Sequence, residues 1–154
     1  MPLDEIKNIA TIIGSLSAVL AFLKGIIEYI KQGSQRRAEY FNIMRKKLKE
    51  NEVFKNICAL LETDDKEITN ISFGDKRDFL GFFEEIALMM NSKIIKEKVA
   101  HYMFGYYALR CWKSKYFWID VNRESIYWCL FKDFVKTMEK IEKKYKFKNS
   151  KYKF

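Results

Sequence analysis

Almost nothing in this sequence forces the backbone out of a helix, because Pro2 is its only proline and the six glycines are scattered. Apolar residues recur mostly at intervals of three and four, the period of a helix, rather than at the interval of two typical of a strand. With 154 residues, 49% of them hydrophobic, the chain can form one domain with a sizeable core. The sequence predicts an all-α fold of about five or six helices, with a long hydrophobic N-terminal helix followed by a small helical bundle.

Interruptions in this spacing mark where helices end. The expected helices cover residues 4–32, 34–50, 52–62, 75–90 and 92–112, and a last one begins near residue 122. Ser34 and Asp75 are expected N-caps, and Ser92 is expected to begin the fifth helix. The first two segments either separate at Gly33 or continue as one helix. Residues 63–74 are expected to form a surface connection with a short extended piece.

The apolar positions of these helices predict the core. In the third and fourth helices they are Phe54, Ile57, Cys58, Leu61, Phe79, Phe82, Phe83, Ile86 and Met90. In the last helix they are Tyr127, Phe131, Phe134, Met138, Ile141 and Tyr145, which alternate at spacings of four and three. Such a heptad seam predicts packing along one long partner helix, within the fold or in a neighbouring subunit.

Residues 9–23 of the first helix contain no charged side chain, and the apolar sequence continues to Ile30 around Lys24 and Glu28. A bilayer core requires about 20 apolar residues. The helix therefore reaches membrane length only if Lys24 and Glu28 lie near the interface or in a protein-lined interior, where the pair would face a pore or a partner.

One side of this helix carries large apolar residues, and the other is small or polar. Gly14 and Ala18, and likewise Ala21 and Gly25, are four positions apart, a spacing that lets helices approach closely and self-associate in lipid. Two interpretations stay open. The helix is either a packed membrane helix or the core helix of a soluble bundle, in which small residues suit a tight crossing.

Charge flanking the helix predicts its orientation if it spans a membrane. The C-terminal flank is basic and the N-terminal flank is nearly neutral, which places the following domain in the cytoplasm, next to the inner membrane. The three cysteines, an odd number without C-x-x-C spacing, agree with a reducing compartment. If the helix is instead a core element, the whole chain is expected in the cytoplasm.

The net charge of +9 is concentrated in two segments. Residues 31–49 hold seven basic side chains against Glu39, and residues 140–154 hold seven lysines against Glu142. The side chains expected to bind an anionic surface are Arg36, Arg37, Lys46, Lys47, Lys143, Lys144, Lys146 and Lys148. Lysines interleaved with aromatics at the C-terminal end suit either lipid head groups or nucleic acid, or simply make the chain soluble.

Residues with catalytic chemistry are few. His101 is the only histidine, and with three scattered cysteines it supplies no metal-ligand set. The sequence has no glycine-rich phosphate loop. Glu84 and Glu85 would form either an acid pair with Arg110 as partner or, more simply, a structural ion pair between packed helices. No cofactor, no metal and no enzymatic activity are therefore expected, and His101 is interpreted as a polar-edge residue.

Two segments resemble a known family. Residues 78–87, with the sequence DFLGFFEEIA, and residues 101–112, with the sequence HYMFGYYALRCW, are similar to segments of small bacterial helical proteins, some labelled as candidate phage abortive infection proteins. The resemblance covers about residues 6–135 and implies one N-terminal hydrophobic helix, a basic juxtamembrane stretch and a helical cytoplasmic domain. It points to a shared structural centre made of Phe82, Phe83, Glu84, Glu85, Gly105, Tyr106, Arg110 and Trp112.

These observations predict three segments: a hydrophobic helix that enters a membrane (residues 1–32), a helical bundle (33–147) and a basic aromatic tail (148–154). The predicted function is that of a membrane-associated, non-enzymatic protein of a bacterial phage-defence or stress system, an oligomeric effector that perturbs membranes. Its expected partners are copies of itself and membrane lipids. The alternative is a soluble helical module that binds nucleic acid or another defence protein through the basic residues 31–49 and 140–154.

Overall fold

A computed structural model describes residues 2–144, with only the backbone described at residues 3–6, 9 and 10. The chain is 83% helical, and its described residues contain no strand, which confirms the predicted all-α class. The α-helices are α1 (Leu3–Glu50), α2 (Glu52–Thr63), α3 (Phe73–Asn91), α4 (Glu97–Ala100), α5 (Tyr106–Lys113) and α6 (Cys129–Lys144). The fold divides between Ala38 and Glu39 into two compact units.

The long helix α1 is continuous through Gly33 and Ser34, so the prediction of an N-cap at Ser34 is wrong and its alternative, one helix, is confirmed. A glycine inside a helix costs only about 1 kcal/mol relative to alanine. No proline follows it, and good helix formers surround it. The first unit contains the part of α1 before Glu39, and the second unit contains the rest of the described chain.

In the second unit, α1 and α2 supply one side of the core. Phe41, Met44 and Leu48 of α1 are buried. Helix α2 confirms the predicted segment, and Asn51 caps it by accepting a hydrogen bond from the backbone N–H of Phe54 at 3.1 Å. The predicted core residues of this helix are all buried, namely Phe54, Ile57, Cys58 and Leu61.

Helix α3 begins earlier than expected, because Ser72 and not Asp75 is its N-cap. The Ser72 hydroxyl accepts a hydrogen bond from the backbone N–H of Asp75 at 3.1 Å. The connection before α3 is a 3₁₀ turn, Lys66–Asn70, rather than an extended piece. Asp65 is the N-cap of this turn, and Ile68 within the turn is buried in the core. The cap and the burial of Ile68 determine the local conformation more strongly than the β-branched composition of the segment.

The predicted fifth helix is wrong at its start. Ser92 ends α3, and its backbone N–H donates to the carbonyls of Leu88 and Met90. After Lys93, which has a φ of 57°, α4 begins at Glu97. A π-helical turn, His101–Gly105, then joins α4 to α5. The turn lies where Gly105 comes close to the Met138 side chain of α6, so it depends on a contact with a residue distant in sequence.

Helix α6 packs against α3 and α5. A 3₁₀ turn, Ile126–Trp128, precedes it, so the expected start near residue 122 is too early. The four seam residues Phe131, Phe134, Met138 and Ile141 are buried as predicted. Tyr127 is not part of this seam because it lies in the 3₁₀ turn and is 80% exposed. The other end of the seam, Tyr145, lies outside the described residues.

Candidate functional site: an exposed apolar helix, basic side chains and two grooves

The apolar segment of α1 has a surface of large side chains that the other described residues leave exposed. Those that are exposed include Ile12, Ile13, Leu16, Val19, Leu20, Phe22, Leu23, Ile26, Ile27, Tyr29 and Ile30. From Thr11 onward, α1 contains an 18-residue window with a mean hydropathy of 1.6, and none of that window is buried. By length and composition, α1 is the one described helix that could cross a membrane.

Hydroxyl groups in this segment bond to the helix's own backbone. Thr11 donates to the carbonyl of Lys7, Ser15 to that of Thr11, and Ser17 to that of Ile13, at 2.8, 2.8 and 2.9 Å. A hydroxyl that is satisfied by the carbonyl four residues earlier needs no water. These three side chains therefore add little to the cost of placing the helix in lipid.

The four predicted self-association residues, Gly14, Ala18, Ala21 and Gly25, are all exposed. A methyl group added at Gly14 or Gly25 would meet nothing within 4 Å in the described part of the chain, so no other described residue packs on this narrow side there. Lys24 and Glu28 are also exposed, one turn apart on α1. Neither forms a salt bridge within residues 2–144.

The predicted anion-binding side chains differ in how available they are. In the first unit Arg36 is exposed and Arg37 is half-buried. In the second unit Lys46 pairs with Glu50 at 3.6 Å, and Lys47 donates to both carboxylate oxygens of Glu85 at 3.2 Å.

The basic residues near the C-terminal end are only partly described. Lys143 and Lys144, in the last turn of α6, are exposed. Lys146 and Lys148 lie outside the described residues. Lys46 and Lys47 are therefore the predicted anion-binding residues whose charges are already paired within the second unit, Lys47 with the shorter contact.

The two motif glutamates contact different partners from the one predicted. Glu84 accepts a hydrogen bond from the backbone N–H of Phe131, at 3.4 Å, in the first turn of α6. Burial raises the pKa of the Glu84 carboxyl above its ordinary value, and the Phe131 hydrogen bond partly opposes the rise. Glu85 pairs with Lys47. Arg110 instead lies with its guanidinium carbon 5.3 Å from the ring centre of Tyr106, so the predicted partnership with the glutamates is wrong.

Of the rest of the motif centre, the two phenylalanines and Gly105 lie in the core and Trp112 is half-buried, whereas Tyr106 is exposed. Phe82 and Phe83 are fully buried, with ring centres 5.2 Å apart. Trp112 meets Trp118 edge to face at 5.6 Å, and the guanidinium carbon of Arg123 lies 3.7 Å from the Trp112 ring centre. The interpretation of the motif as architecture agrees with these contacts, because its large apolar side chains fix how α3, α5 and α6 pack.

The nucleophilic and imidazole side chains lie mostly inside the domain. His101 is 8% exposed, so its interpretation as a polar-edge residue is wrong. Burial lowers its pKa, and the charge of Glu142 partly opposes that shift. Burial raises the pKa of the Cys58 thiol to about 12 and that of Cys111 well above its ordinary value, whereas Cys129 is exposed. Among the described residues no group of three or more His, Cys, Asp or Glu side chains is placed to hold a metal.

Two open grooves lie on the second unit. The first, of about 360 Å³, is lined by α2, α5 and α6 and contains Asp64, Tyr106, Arg110, Ser114 and Glu142. The second, of about 380 Å³, is lined by the carboxylates of Asp75, Asp78, Glu84 and Glu85, together with Lys47 and Arg77. Val53 and Trp128 supply apolar surface to this second groove, which we call the acidic groove. All four carboxylates lie on α3, but the groove was not predicted because it forms only where that helix meets Lys47 of α1 and Trp128.

No family model, curated protein or solved structure matches this chain.

Proposed function

We propose that this chain is a membrane-associated, non-enzymatic helical protein whose first helix enters the lipid bilayer. The observation that carries the proposal is the 18-residue apolar window of α1, none of which is buried. Soluble monomers rarely leave so large a continuous apolar surface in water, whereas hydrocarbon chains solvate it favourably. The internally bonded hydroxyls of Thr11, Ser15 and Ser17 support the same location.

The proposed location is the inner membrane, with the second unit in the cytoplasm. Basic residues are concentrated after the apolar segment, where Lys31, Arg36 and Arg37 lie, and the positive flank of a membrane helix faces the cytoplasm. Exposed Arg36, Lys143 and Lys144 suit contact with acidic lipid head groups on that side.

The proposed active form is a homo-oligomer that perturbs the membrane. Gly14, Ala18, Ala21 and Gly25 supply a narrow exposed strip along which a second copy of the helix can approach closely. Lys24 and Glu28 fall near that strip, and charges at membrane depth are stable only when they face one another or water. An assembly that turns them to a shared interior would form a wet path through the bilayer.

The proposed biological setting is bacterial phage defence or a related stress response, and it rests on the sequence resemblance described above. A protein that damages its own cell's membrane on infection would need no catalytic site. The contacts of the motif glutamates support that view, because Glu84 bonds to the start of α6 and Glu85 to Lys47.

Membrane insertion is tested in the full chain by comparing two double variants. Leu16→Arg with Leu20→Arg places two charges in the apolar segment, each costing about 2.5–3.5 kcal/mol at the bilayer centre. The matched control, Ile119→Arg with Ile126→Arg, places two charges on exposed apolar residues of the second unit. After a carbonate wash we expect the wild-type chain and the control in the membrane pellet and the α1 variant in the supernatant. A wild-type chain in the supernatant would refute insertion.

Orientation is tested with Cys129, the exposed one of the three cysteines. A membrane-impermeant maleimide added to intact spheroplasts should leave Cys129 unlabelled, and lysis should allow its labelling. Labelling before lysis would place the second unit on the outer side of the membrane and refute the proposed orientation.

A soluble module that binds nucleic acid is the second candidate. It is favoured by Arg45, Lys49, Lys143 and Lys144, which are exposed and form no salt bridge within residues 2–144. Binding through such residues would weaken steeply as salt rises, because it releases counterions from the phosphate backbone. Duplex and single-stranded oligonucleotides that show no salt-sensitive binding to the full chain would remove this candidate.

A further inference from the structure

The acidic groove carries a charge opposite to that of the chain as a whole. The chain has a net charge of +9, but four carboxylates and only two cations line the groove. Both cations are already paired, Lys47 with Glu85 and Arg77 with Asp78. No cation among residues 2–144 pairs with Asp75 or Glu84, which accept hydrogen bonds only from Ser72 and Phe131. The groove therefore has an uncompensated negative charge.

Apolar surface adjoins this charge. Val53, which is 36% exposed, and the half-buried Trp128 line the groove, and the two residues before Trp128, Ile126 and Tyr127, are 79% and 80% exposed. Large side chains that protrude from a short 3₁₀ turn contribute nothing to the core. A ligand that fits here combines positive charges with aromatic or aliphatic groups, because both kinds of surface must be matched at once.

The chain itself contains a segment with that composition. Residues 145–154, with the sequence YKFKNSKYKF, hold four lysines and four aromatic residues in near alternation and no acidic residue. The segment follows Lys144, the last residue of α6, and the first turn of that helix adjoins the groove through Trp128 and the contact between Phe131 and Glu84.

The length of the segment allows it to reach the groove. Helix α6 has 16 residues and is therefore about 24 Å long at a rise of about 1.5 Å per residue. An extended chain covers about 3.3–3.6 Å per residue, so about seven residues suffice to return along α6. Lys151 and the residues after it would then lie beside Trp128.

We propose that residues 151–154, Lys-Tyr-Lys-Phe, dock in the acidic groove of the same chain, with both lysines at its carboxylates and both aromatics against the Val53, Tyr127 and Trp128 surface. A bound cation would also favour the ionised form of Glu84. Docking uses Lys151 and Lys153, which are distinct from the lysines proposed above to contact lipid. It is independent of membrane insertion, since every groove residue lies in the second unit.

The test uses Cys129, whose exposed thiol follows Trp128 directly. In the full chain in nonionic detergent, Ser150→Cys introduces a thiol just before the docked residues. Under a mild oxidant we expect a disulfide within one chain, seen as a loss of two hydrogens by intact mass and a cross-linked peptide containing both positions. Cys58 and Cys111 are buried and therefore do not compete for the oxidant.

Charge variants in this background show whether the groove is responsible. Lys151→Glu with Lys153→Glu should slow the cross-link about tenfold, which corresponds to the loss of two ion pairs. The matched control, Lys146→Glu with Lys148→Glu, makes the same change in net charge and should leave the rate nearly unchanged. Asp78→Lys alone should slow the cross-link, and combining it with the two changes at Lys151 and Lys153 should restore the rate.

Three results would overturn the proposal. These are the absence of an intramolecular disulfide, a disulfide formed mainly between two chains, and equal slowing by the two lysine pairs. Tryptophan fluorescence keeps each result interpretable, because all three tryptophans lie in the second unit and report whether it stays folded.

Discussion

The Nζ atom of Lys76, whose side chain is fully buried, lies 3.9 Å from Oδ2 of Asp120, whose side chain is 61% exposed. This Nζ atom has no hydrogen-bond partner among residues 2–144 and lies 5.9 Å from the ring centre of Phe117. The cation therefore loses its water without gaining a close carboxylate. Burial lowers the pKa of the Lys76 amine, and the charge of Asp120 only partly opposes this shift.

Lys76→Met should increase stability at neutral pH. Methionine fills a similar volume without a charge, and Asp120, which is 61% exposed, keeps its hydration when its partner is lost, so we expect a gain of about 1 kcal/mol. Lys55→Met removes an exposed lysine that pairs with Glu52 and should change stability by less than about 0.5 kcal/mol. Urea denaturation in nonionic detergent, followed by tryptophan fluorescence, measures both. A Lys76→Met chain that is less stable than wild type would show that the amine has an essential partner.

The same residue predicts a dependence of stability on pH. The folded chain releases the Lys76 proton at a lower pH than the unfolded chain, whose amine has an ordinary pKa of 10.5. Between the lowered pKa and 10.5 the unfolded chain binds more protons, so this residue makes the free energy of unfolding rise with pH. The rise should be smaller in Lys76→Met. Parallel pH profiles for the two chains would contradict the assignment.

Apolar spacing was enough to predict α2, the body of α3 and the buried seam of α6, because those residues contact the core through their own periodicity. Lys76 shows where such reasoning stops. Its neighbours Asp75 and Arg77 are charged, which is typical of a surface position, yet Lys76 is fully buried, with Phe117 and Asp120, about forty positions later, beside its amine. The acidic groove escaped prediction for the same reason, since Lys47, Asp78 and Trp128 meet only in three dimensions.

Two glycines in helical backbone should respond oppositely to alanine. At Gly105 a new methyl group would lie 3.1 Å from Cδ2 of His101 and 3.3 Å from Sδ of Met138, both on buried side chains that have little room to move. We expect Gly105→Ala to destabilise the second unit by about 1–2 kcal/mol. At Gly81 the methyl group meets nothing within 4 Å, and the change should stabilise α3 by about 0.5–1 kcal/mol. Thermal denaturation of both variants distinguishes crowding at the π-helical turn from a general effect of alanine.

Arg123 stabilises the segment between α5 and α6 through its flat guanidinium group. That group stacks 3.7 Å from the Trp112 ring centre and lies 5.9 Å from that of Trp118. Arg123→Lys keeps the charge but loses the planar contact, so we expect a loss of about 0.5–1 kcal/mol and a changed tryptophan emission. Lys132→Arg is the control, because Lys132 lies farther from Trp112, at 5.9 Å. An Arg123→Lys chain that is as stable as wild type would mean that charge, and not stacking, is what Trp112 requires.

Self-association of the first helix should depend on its narrow side and not on hydrophobicity. Gly14→Leu with Gly25→Leu keeps the segment apolar but fills the strip where two backbones would approach, so we expect dimer affinity in liposomes to fall about tenfold. Val19→Leu with Ile26→Leu adds no bulk to the strip and should leave affinity unchanged. Energy transfer between labelled chains at varied protein-to-lipid ratios measures affinity, and dye release from the same liposomes measures permeabilisation. If the glycine variant still associates and still releases dye, the interface lies elsewhere on the helix. If it associates weakly and releases little, close helix packing is what brings Lys24 and Glu28 to a shared interior.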